Sequence, residues 1–323
     1  MTTPQFGRQA TLVINRPGQV GNNPSGFVPG AALDLSAFHF TFETRQQDVE
    51  SPNNCRIRVY NLARSTVDDI RASEYSQVIL QAGYGQSYGV IFSGTIKQYG
   101  IGRENSTTTY LDILAADGDI AYNNSWVSTT LAAGSTPQQR IDVAVGAMQQ
   151  QSQITKGYLM EPTGGVLPRG KVLFGMARAF LRKEAEAQGA TWNITNGQVN
   201  IVPLKGYLPG EAVVLSASTG MVGLPEQTNE GLKVVSLLNP KLVVGGLVRI
   251  DNKSVNQIVQ ADPTAAPVPY NQYAGLQLLA TITNDGLYRA LVVEHEGDTR
   301  GQSWYTRLVC LAIDPSSNKV VAQ

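Results

Sequence analysis

Charge is scarce in this chain: only 15% of its 323 residues are Asp, Glu, Lys or Arg, and 25 basic residues are balanced by 25 acidic ones. With no positive excess there is no field to gather phosphate backbones, which argues against tight nucleic-acid binding. Long apolar runs are missing too. The N-terminal MTTPQFGRQATLVINRPG offers only Leu12-Val13-Ile14, too short for a signal-peptide core, and no later stretch nears the length of a membrane span. The expectation is a soluble chain assembled in the cytoplasm.

Cysteine and histidine are equally rare. Cys55 and Cys310 lie far apart in alternating apolar runs, whereas metal sites use close Cys or His pairs, so both read as buried free thiols rather than ligands or a disulfide. There is no H-E-x-x-H, phosphate-binding loop or dinucleotide fingerprint, and Asp117-Gly118-Asp119 lacks the other ligands of a calcium loop. No metal or cofactor is expected.

What the chain does have is strand signal. Arg56-Ile57-Arg58-Val59-Tyr60 sets Ile57 and Val59 on one face and the arginines on the other, and Leu33 to Glu43 alternates in the same way. Asn196-Gly197 joins Thr191–Ile194 to Gln198–Val202 as a hairpin. NRPGQVGNNPSGFVPG before Leu33 is a long loop, as is residues 251–275, rich in Pro and Ala. Helices are few. A short one is predicted over Ser65–Ser73, another after the Thr136-Pro137 cap with Ile141, Ala144, Val145 and Met148 as its apolar stripe, and a third from about Gly170 to Gln188. The predicted fold is mainly β with an α+β middle segment.

Gly85-Gln86-Ser87-Tyr88-Gly89 fits the G-x-S-x-G pattern of a hydrolase nucleophile elbow. An elbow requires a helix after the serine, yet Val90-Ile91-Phe92 is β-prone, so Ser87 reads as a turn residue between two strands. His295 alternates with Leu291 and Val293 and reads as a structural histidine. Glu294 and Glu296 share the opposite face, as neighbours on any strand do, which is weak ground for a glycosidase pair.

Shifting the sequence by 197 residues lays Gly89–Asp117 on Gly286–Asp314 without a gap, with nine of 29 positions identical, among them Gly100/Gly297, Leu111/Leu308 and Ala115/Ala312. Average composition gives about two matches. Each copy reads strand, Gly-centred polar turn, strand, and Cys310 falls opposite Ile113; the expectation is an internal duplication.

Several stretches together resemble the baseplate hub family of contractile phage tails. They are Ala32-Leu33-Asp34-Leu35-Ser36; Ser51-Pro52-Asn53-Asn54 leading to Ile57-Arg58-Val59-Tyr60-Asn61-Leu62; Ala82-Gly83-Tyr84; Ile91-Phe92-Ser93-Gly94; Asp117-Gly118-Asp119; Ser236-Leu237-Leu238-Asn239-Pro240; and Val293-Glu294-His295-Glu296-Gly297-Asp298-Thr299 with Trp304-Tyr305-Thr306. The motif positions singled out are Asn61, Leu62, Leu237, Leu238, Asn239, Pro240, His295, Gly297 and Asp298, all in structural roles. The resemblance implies two tail-tube-like β-barrel lobes related by duplication, at residues 1–122 and 209–323, around a helix-containing middle domain at 123–208. It also implies a non-enzymatic homotrimer in the virion baseplate that joins the tail tube protein to a central spike protein, with wedge or tape-measure components as further partners. Three chains with two lobes each present six lobes to a sixfold tube. DNA passes only transiently through the lumen, which is therefore expected to be polar or acidic. The alternatives are a serine or cell-wall hydrolase, carried by Ser87 or by Glu294 and Glu296, and a glycan-binding tail component.

Overall fold

A computed structural model describes residues 7–15, 32–72, 77–85, 87–228, 231–250 and 286–313. Apart from Asn15, which ends the first strand, both predicted long loops lie outside the described residues, as does Asp314. The first part of the chain runs β1 (Arg8–Asn15), β2 (Ala32–Asp34), β3 (Phe40–Gln47), β4 (Asn53–Tyr60), α1 (Arg64–Ala72), β5 (Gln77–Tyr84), β6 (Ser87–Arg103) and β7 (Thr109–Asp117). The middle runs α2 (Asp119–Asn124), β8 (Trp126–Leu131), α3 (Pro137–Gln151), β9 (Thr155–Leu159), β10 (Lys171–Met176), α4 (Ala177–Ala187), β11 (Ala190–Thr195) and β12 (Gln198–Pro203). The last part holds β13 (Val213–Leu215), a 3-10 turn, β14 (Met221–Thr228), β15 (Gly231–Leu237), β16 (Leu247–Ile250), β17 (Leu287–Asp298) and β18 (Trp304–Ala312).

Among the described residues thirteen strands form one sheet with the order β14-β15-β18-β17-β3-β4-β7-β6-β5-β1-β2, and β16 adds to β17 with β13 beside it. Period-2 patterning decides which face is covered. In β3 the side chains of Phe40, Phe42, Thr44 and Gln46 are buried, while those of Glu43 and Arg45 are exposed. The buried face of the first half forms one cluster that includes Phe40, Phe42, Ile57, Leu80 and Phe92, and it reaches across to Leu238 and Trp304 of the second half. A second cluster around Leu232, Val234, Tyr288, Val293 and Leu308 serves the last part of the chain. Each large apolar side chain removed from water in this way stabilises the fold by roughly 1.5–3 kcal/mol.

The two parts of the sheet repeat a layout. The first reads β3-β4-β7-β6-β5 and the last reads β14-β15-β18-β17-β16, with antiparallel pairing throughout each run. Both long strands carry a bulge at the same place: between Ile96 and Gln98 on β6, and between Ala290 and Val292 on β17. Matching the bulges sets Ile96 against Ala290 and Ala115 against Cys310. The gap-free shift instead sets Ile96 against Val293, so it is not the pairing the strands make, and Cys310 answers to Ala115 rather than Ile113. A hairpin with a different turn length cannot keep one offset on both its strands. Among the described residues neither run closes into a barrel of its own; the two are joined edge to edge by β17 pairing with β3 over Val292–Asp298 and Thr41–Gln47.

The middle part has its own core, including Tyr122, Val145, Leu173, Leu181 and Trp192. Thr136 caps α3 as predicted: its Oγ1 accepts from the Gln139 N–H at 3.2 Å, and the Gln139 side chain accepts from the Thr136 N–H at 2.9 Å. The predicted helix from Gly170 is corrected at its start. Lys171–Met176 is strand β10, paired antiparallel with β8, and α4 begins only at Ala177. Leu173 and Ala177 are spaced as a helical stripe, but Val172 and Phe174 alternate against β8 and lie exposed. The predicted strand from Leu33 is also interrupted, because a turn after Leu35 separates β2 from β3.

One buried node ties all three parts together. The Arg289 guanidinium on β17 pairs with the Asp48 carboxylate just beyond β3 and donates to the carbonyls of Pro203, Leu204 and Gly206 at 2.5, 3.2 and 3.1 Å. Asp48 in turn accepts from the Asn193 amide at 2.8 Å and from the Thr191 hydroxyl at 3.1 Å.

Candidate functional site

The face of the sheet turned away from the hydrophobic clusters carries a connected group of ion pairs, centred on the joint between β17 and β3. Alternation puts Glu294, Glu296 and Asp298 of β17 on this face beside Glu43 and Arg45 of β3, Arg56 and Arg58 of β4, Asp112 of β7 and Arg307 of β18. Every arginine among these is held by a carboxylate. Arg58 grips Asp112 through Nε and Nη2, at 2.6 and 2.8 Å, with Arg56 adding a bond at 3.3 Å; Arg45 sits 3.3 Å from Glu294; Arg307 pairs with Glu296. The Arg58 guanidinium also lies over the Tyr110 ring at 3.9 Å. These hydrogen bonds, chiefly those from Arg58, hold the Asp112 carboxyl below its usual range. At the end of the joint His39 Nε2 lies 2.9 Å from Asp298. Burial pushes the Asp298 carboxyl up, but the backbone N–H of Arg300, the His39 side chain and the N–H of Gly301 outweigh it and keep it low.

Such a surface is polar yet self-compensated. A guanidinium already paired and stacked has little left to give to a phosphate.

The predicted motif residues fall at three places. Asn61 adopts a left-handed backbone (φ 54°) and closes the end of β4 on β7: its N–H donates to the Thr109 carbonyl and its side chain accepts from the Thr109 N–H, both at 2.9 Å. Leu62 beside it enters the first cluster. Leu237, Leu238, Asn239 and Pro240 carry the end of β15 onto the first half of the sheet. Leu238 is buried there, with Leu237 packed against the same cluster. The Asn239 N–H donates to the Thr306 hydroxyl at 3.1 Å, its side chain accepts from the Lys241 N–H at 3.0 Å, and Pro240 lies against Gly89. His295, Gly297 and Asp298 lie in the joint itself. His295 is buried, burial lowers its pKa to about 4, and its Nδ1 lies 2.9 Å from the Thr306 hydroxyl. Gly297 leaves room for the Phe42 ring, since a Cβ there would sit 2.3 Å from it.

Ser87 opens β6 directly after the β5–β6 turn, and its hydroxyl lies 3.4 Å from the Asn239 side-chain oxygen. Strand, not helix, follows it, so the local geometry of an elbow is absent at this serine. Glu294 and Glu296 are engaged by Arg45 and Arg307. Cys55 and Cys310 are buried free thiols in separate clusters; burial raises the Cys55 pKa and pushes Cys310 up to about 12. The charged face escapes a reading of the sequence because its pairs are cross-strand. Its only trace there is the alternation of Arg56 and Arg58, and of Glu294 and Glu296.

No protein-family model matches the sequence, and no curated protein matches it. Solved structures do. The chain superposes on the 43 kDa tail protein of prophage MuSo2 from Shewanella oneidensis with a TM-score of 0.56 at 8% identity, covering 95% of this chain and 97% of that one. A tail protein from Neisseria meningitidis matches with a TM-score of 0.55 at 7% identity over 94% and 96%. The fold is that of phage tail proteins. It extends beyond phages: an E. coli component of the type VI secretion system, described as similar to the T4 tail proteins gp27 and gp5, matches with a TM-score of 0.53 at 11% identity over 86% and 74%. Among the described residues no helix is long and apolar enough to cross a membrane.

Proposed function

We propose that this chain is the non-enzymatic hub of a phage tail baseplate, a homotrimer that joins the sixfold tail tube to a threefold central spike and lines the channel through which DNA leaves. The observation that carries this reading is the charged face of the β17–β3 joint. Its arginines are neutralised in place by Glu294, Glu296 and Asp112, which suits a wall that DNA slides past without being held. The tail-protein fold supports the location, and the repeated strand order supports a duplicated lobe, the arrangement by which three chains present six similar units. On this reading the lobes are residues 1–122 and 209–323, the middle domain is 123–208, and the Asn61, Leu237–Pro240 and His295–Asp298 motifs set one lobe against the other. The partners are tail tube protein, spike protein and, at the rim, wedge or tape-measure components.

The test is a density map of the intact tail. The reading expects this chain in three copies between the last tube ring and the spike, with Glu294 and Arg307 facing the lumen. A single copy, or a place on the outer rim, would overturn it.

A further inference from the structure

Strands β8 and β10 form a two-stranded ribbon, and among the described residues no third strand joins it. One of its faces is finished: Val127 and Leu173 are buried there in the core of the middle part, against α3 and α4. The other face brings Trp126, Ser128 and Thr130 of β8 together with Val172, Phe174 and Met176 of β10. Val172 at 71% and Phe174 at 69% are the two most exposed large apolar residues among those described, and Trp126 is 50% exposed. The indole of Trp126 meets the Phe174 ring edge-on, with centroids 5.1 Å apart and planes at 82°. Alternation leaves these side chains no core to enter, since their neighbours already fill it. An apolar face left in water in this way marks an interaction surface.

Charge frames this face rather than entering it. None of its six residues is charged, but cations stand at both ends of the ribbon. Lys171 opens β10 opposite Leu131, with Arg169 two residues before it. At the other end Arg178 lies two residues beyond Met176 and donates to the Asn123 side-chain oxygen at 2.8 Å. The carboxylate next along that chain of contacts, Asp119, is taken by Lys97. Among the described residues Arg169, Lys171 and Arg178 pair with no carboxylate, whereas Arg45, Arg56, Arg58 and Arg307 at the β17–β3 joint are all neutralised. The sequence shows the same division: residues 123–208 carry eight Lys or Arg against four Asp or Glu, so a chain of zero net charge is split into +4 there and −4 elsewhere.

An aromatic, apolar face between uncompensated cations complements an anionic lipid surface. Tryptophan and phenylalanine lodge where headgroups meet acyl chains, and Lys or Arg beside them meets lipid phosphate. Stacked bases are a poorer match, because they need open ring faces and here one ring abuts the other at 82°. A protein partner needs a contour of matching shape, whereas side chains that stand out from a ribbon suit a fluid surface that moulds to them. We propose that the outer face of the β8–β10 ribbon docks on anionic phospholipid, with Trp126, Val172 and Phe174 entering the headgroup boundary and Arg169, Lys171 and Arg178 meeting the phosphates. Such docking lies on the membrane surface, needs no spanning segment and does not depend on the hub reading.

Trp126 reports on this face directly, because the other two tryptophans, Trp192 and Trp304, are fully buried. Vesicles of phosphatidylglycerol and phosphatidylethanolamine, added to the full-length chain, are expected to shift its emission to the blue, and brominated acyl chains to quench it. Phosphatidylcholine vesicles are expected to bind about tenfold or more weakly, read by co-sedimentation. Val172→Ser/Phe174→Ser is expected to weaken binding to the anionic vesicles about tenfold or more, and Lys171→Gln/Arg178→Gln about twentyfold, with unchanged circular dichroism spectra. The brominated-lipid measurement needs no variant, so it decides even where a variant does not fold. No binding to anionic vesicles overturns the proposal. Binding that leaves the Trp126 emission unchanged, or that both double variants retain, also overturns it, since the contact then lies elsewhere. Equal binding to phosphatidylcholine overturns the role given to the cations. If vesicles fail while Trp126 is shielded from acrylamide in an assembled tail, the face belongs to a protein partner and the lipid assignment falls.

Discussion

Strands β6 and β17 are built alike, bulged at the same place and paired to the second strand of a hairpin, yet beyond the bulge β17 is covered by β3 whereas, among the described residues, β6 has no strand on that edge. The difference shows in what each strand tolerates. On the closed edge the space is so tight that position 297 has no Cβ and a histidine is held neutral by burial. On the open edge an isoleucine stands in solvent. Strand addition, rather than local sequence, converts an exposed edge into a packed one.

Breaking the closed side at its root should have the largest effect. Arg289→Ala leaves Asp48 buried without its cation and takes the guanidinium donor away from three carbonyls, and is expected to destabilise the fold by about 3–5 kcal/mol in urea unfolding. Gly297→Ala is expected to cost about 1–3 kcal/mol by crowding Phe42, which packs edge-on against Trp304. Alanine at Arg103, the counterpart on the open edge, should stay within about 0.5 kcal/mol. Equal losses at 297 and 103 would erase the contrast.

The buried titratable groups sharpen the comparison through pH. Burial raises the Asp117 pKa to about 8, although the Gly197 N–H donates to it at 3.1 Å. Its folded pKa lies above the unfolded value, so stability from this group is greatest below about 4 and falls as pH rises to 8. Asp117→Asn should therefore gain on the wild type by a few kcal/mol across that window, read as a difference in thermal or urea midpoints. His295 works in the other direction. Its depressed pKa makes the fold lose stability as pH falls from about 6.5 toward 4, a loss that His295→Gln should remove. The smallest effect is expected at the hydrolase-like motif: Ser87→Ala removes one long hydrogen bond and should change stability by no more than about 0.5 kcal/mol. A loss of more than 2 kcal/mol there would reveal a role that the β5–β6 turn does not show.

Local features were readable wherever the physics is local. The Thr136 cap, the Asn196-Gly197 turn with both residues at positive φ, and the period-2 faces of β3 and β4 each depend on neighbours a few residues away. The reading failed where two periodicities overlap. Val172-Leu173-Phe174 satisfies a helical stripe and a strand alternation at once, and pairing with β8 decided between them.

From composition and pattern alone the chain was committed to a β-rich architecture, to a few helices lying mostly in its middle and to a net charge of zero, because those follow from alternation, capping and charge count. Which charges meet, which edge is covered and how the three parts lock together were left to the folded molecule. Glu43, Glu294 and Arg307 share one face, and Asp48 finds Arg289, only after β17 comes to lie beside β3. A hydrogen-bonded ladder between segments some 250 residues apart leaves no periodic trace in the residues that make it.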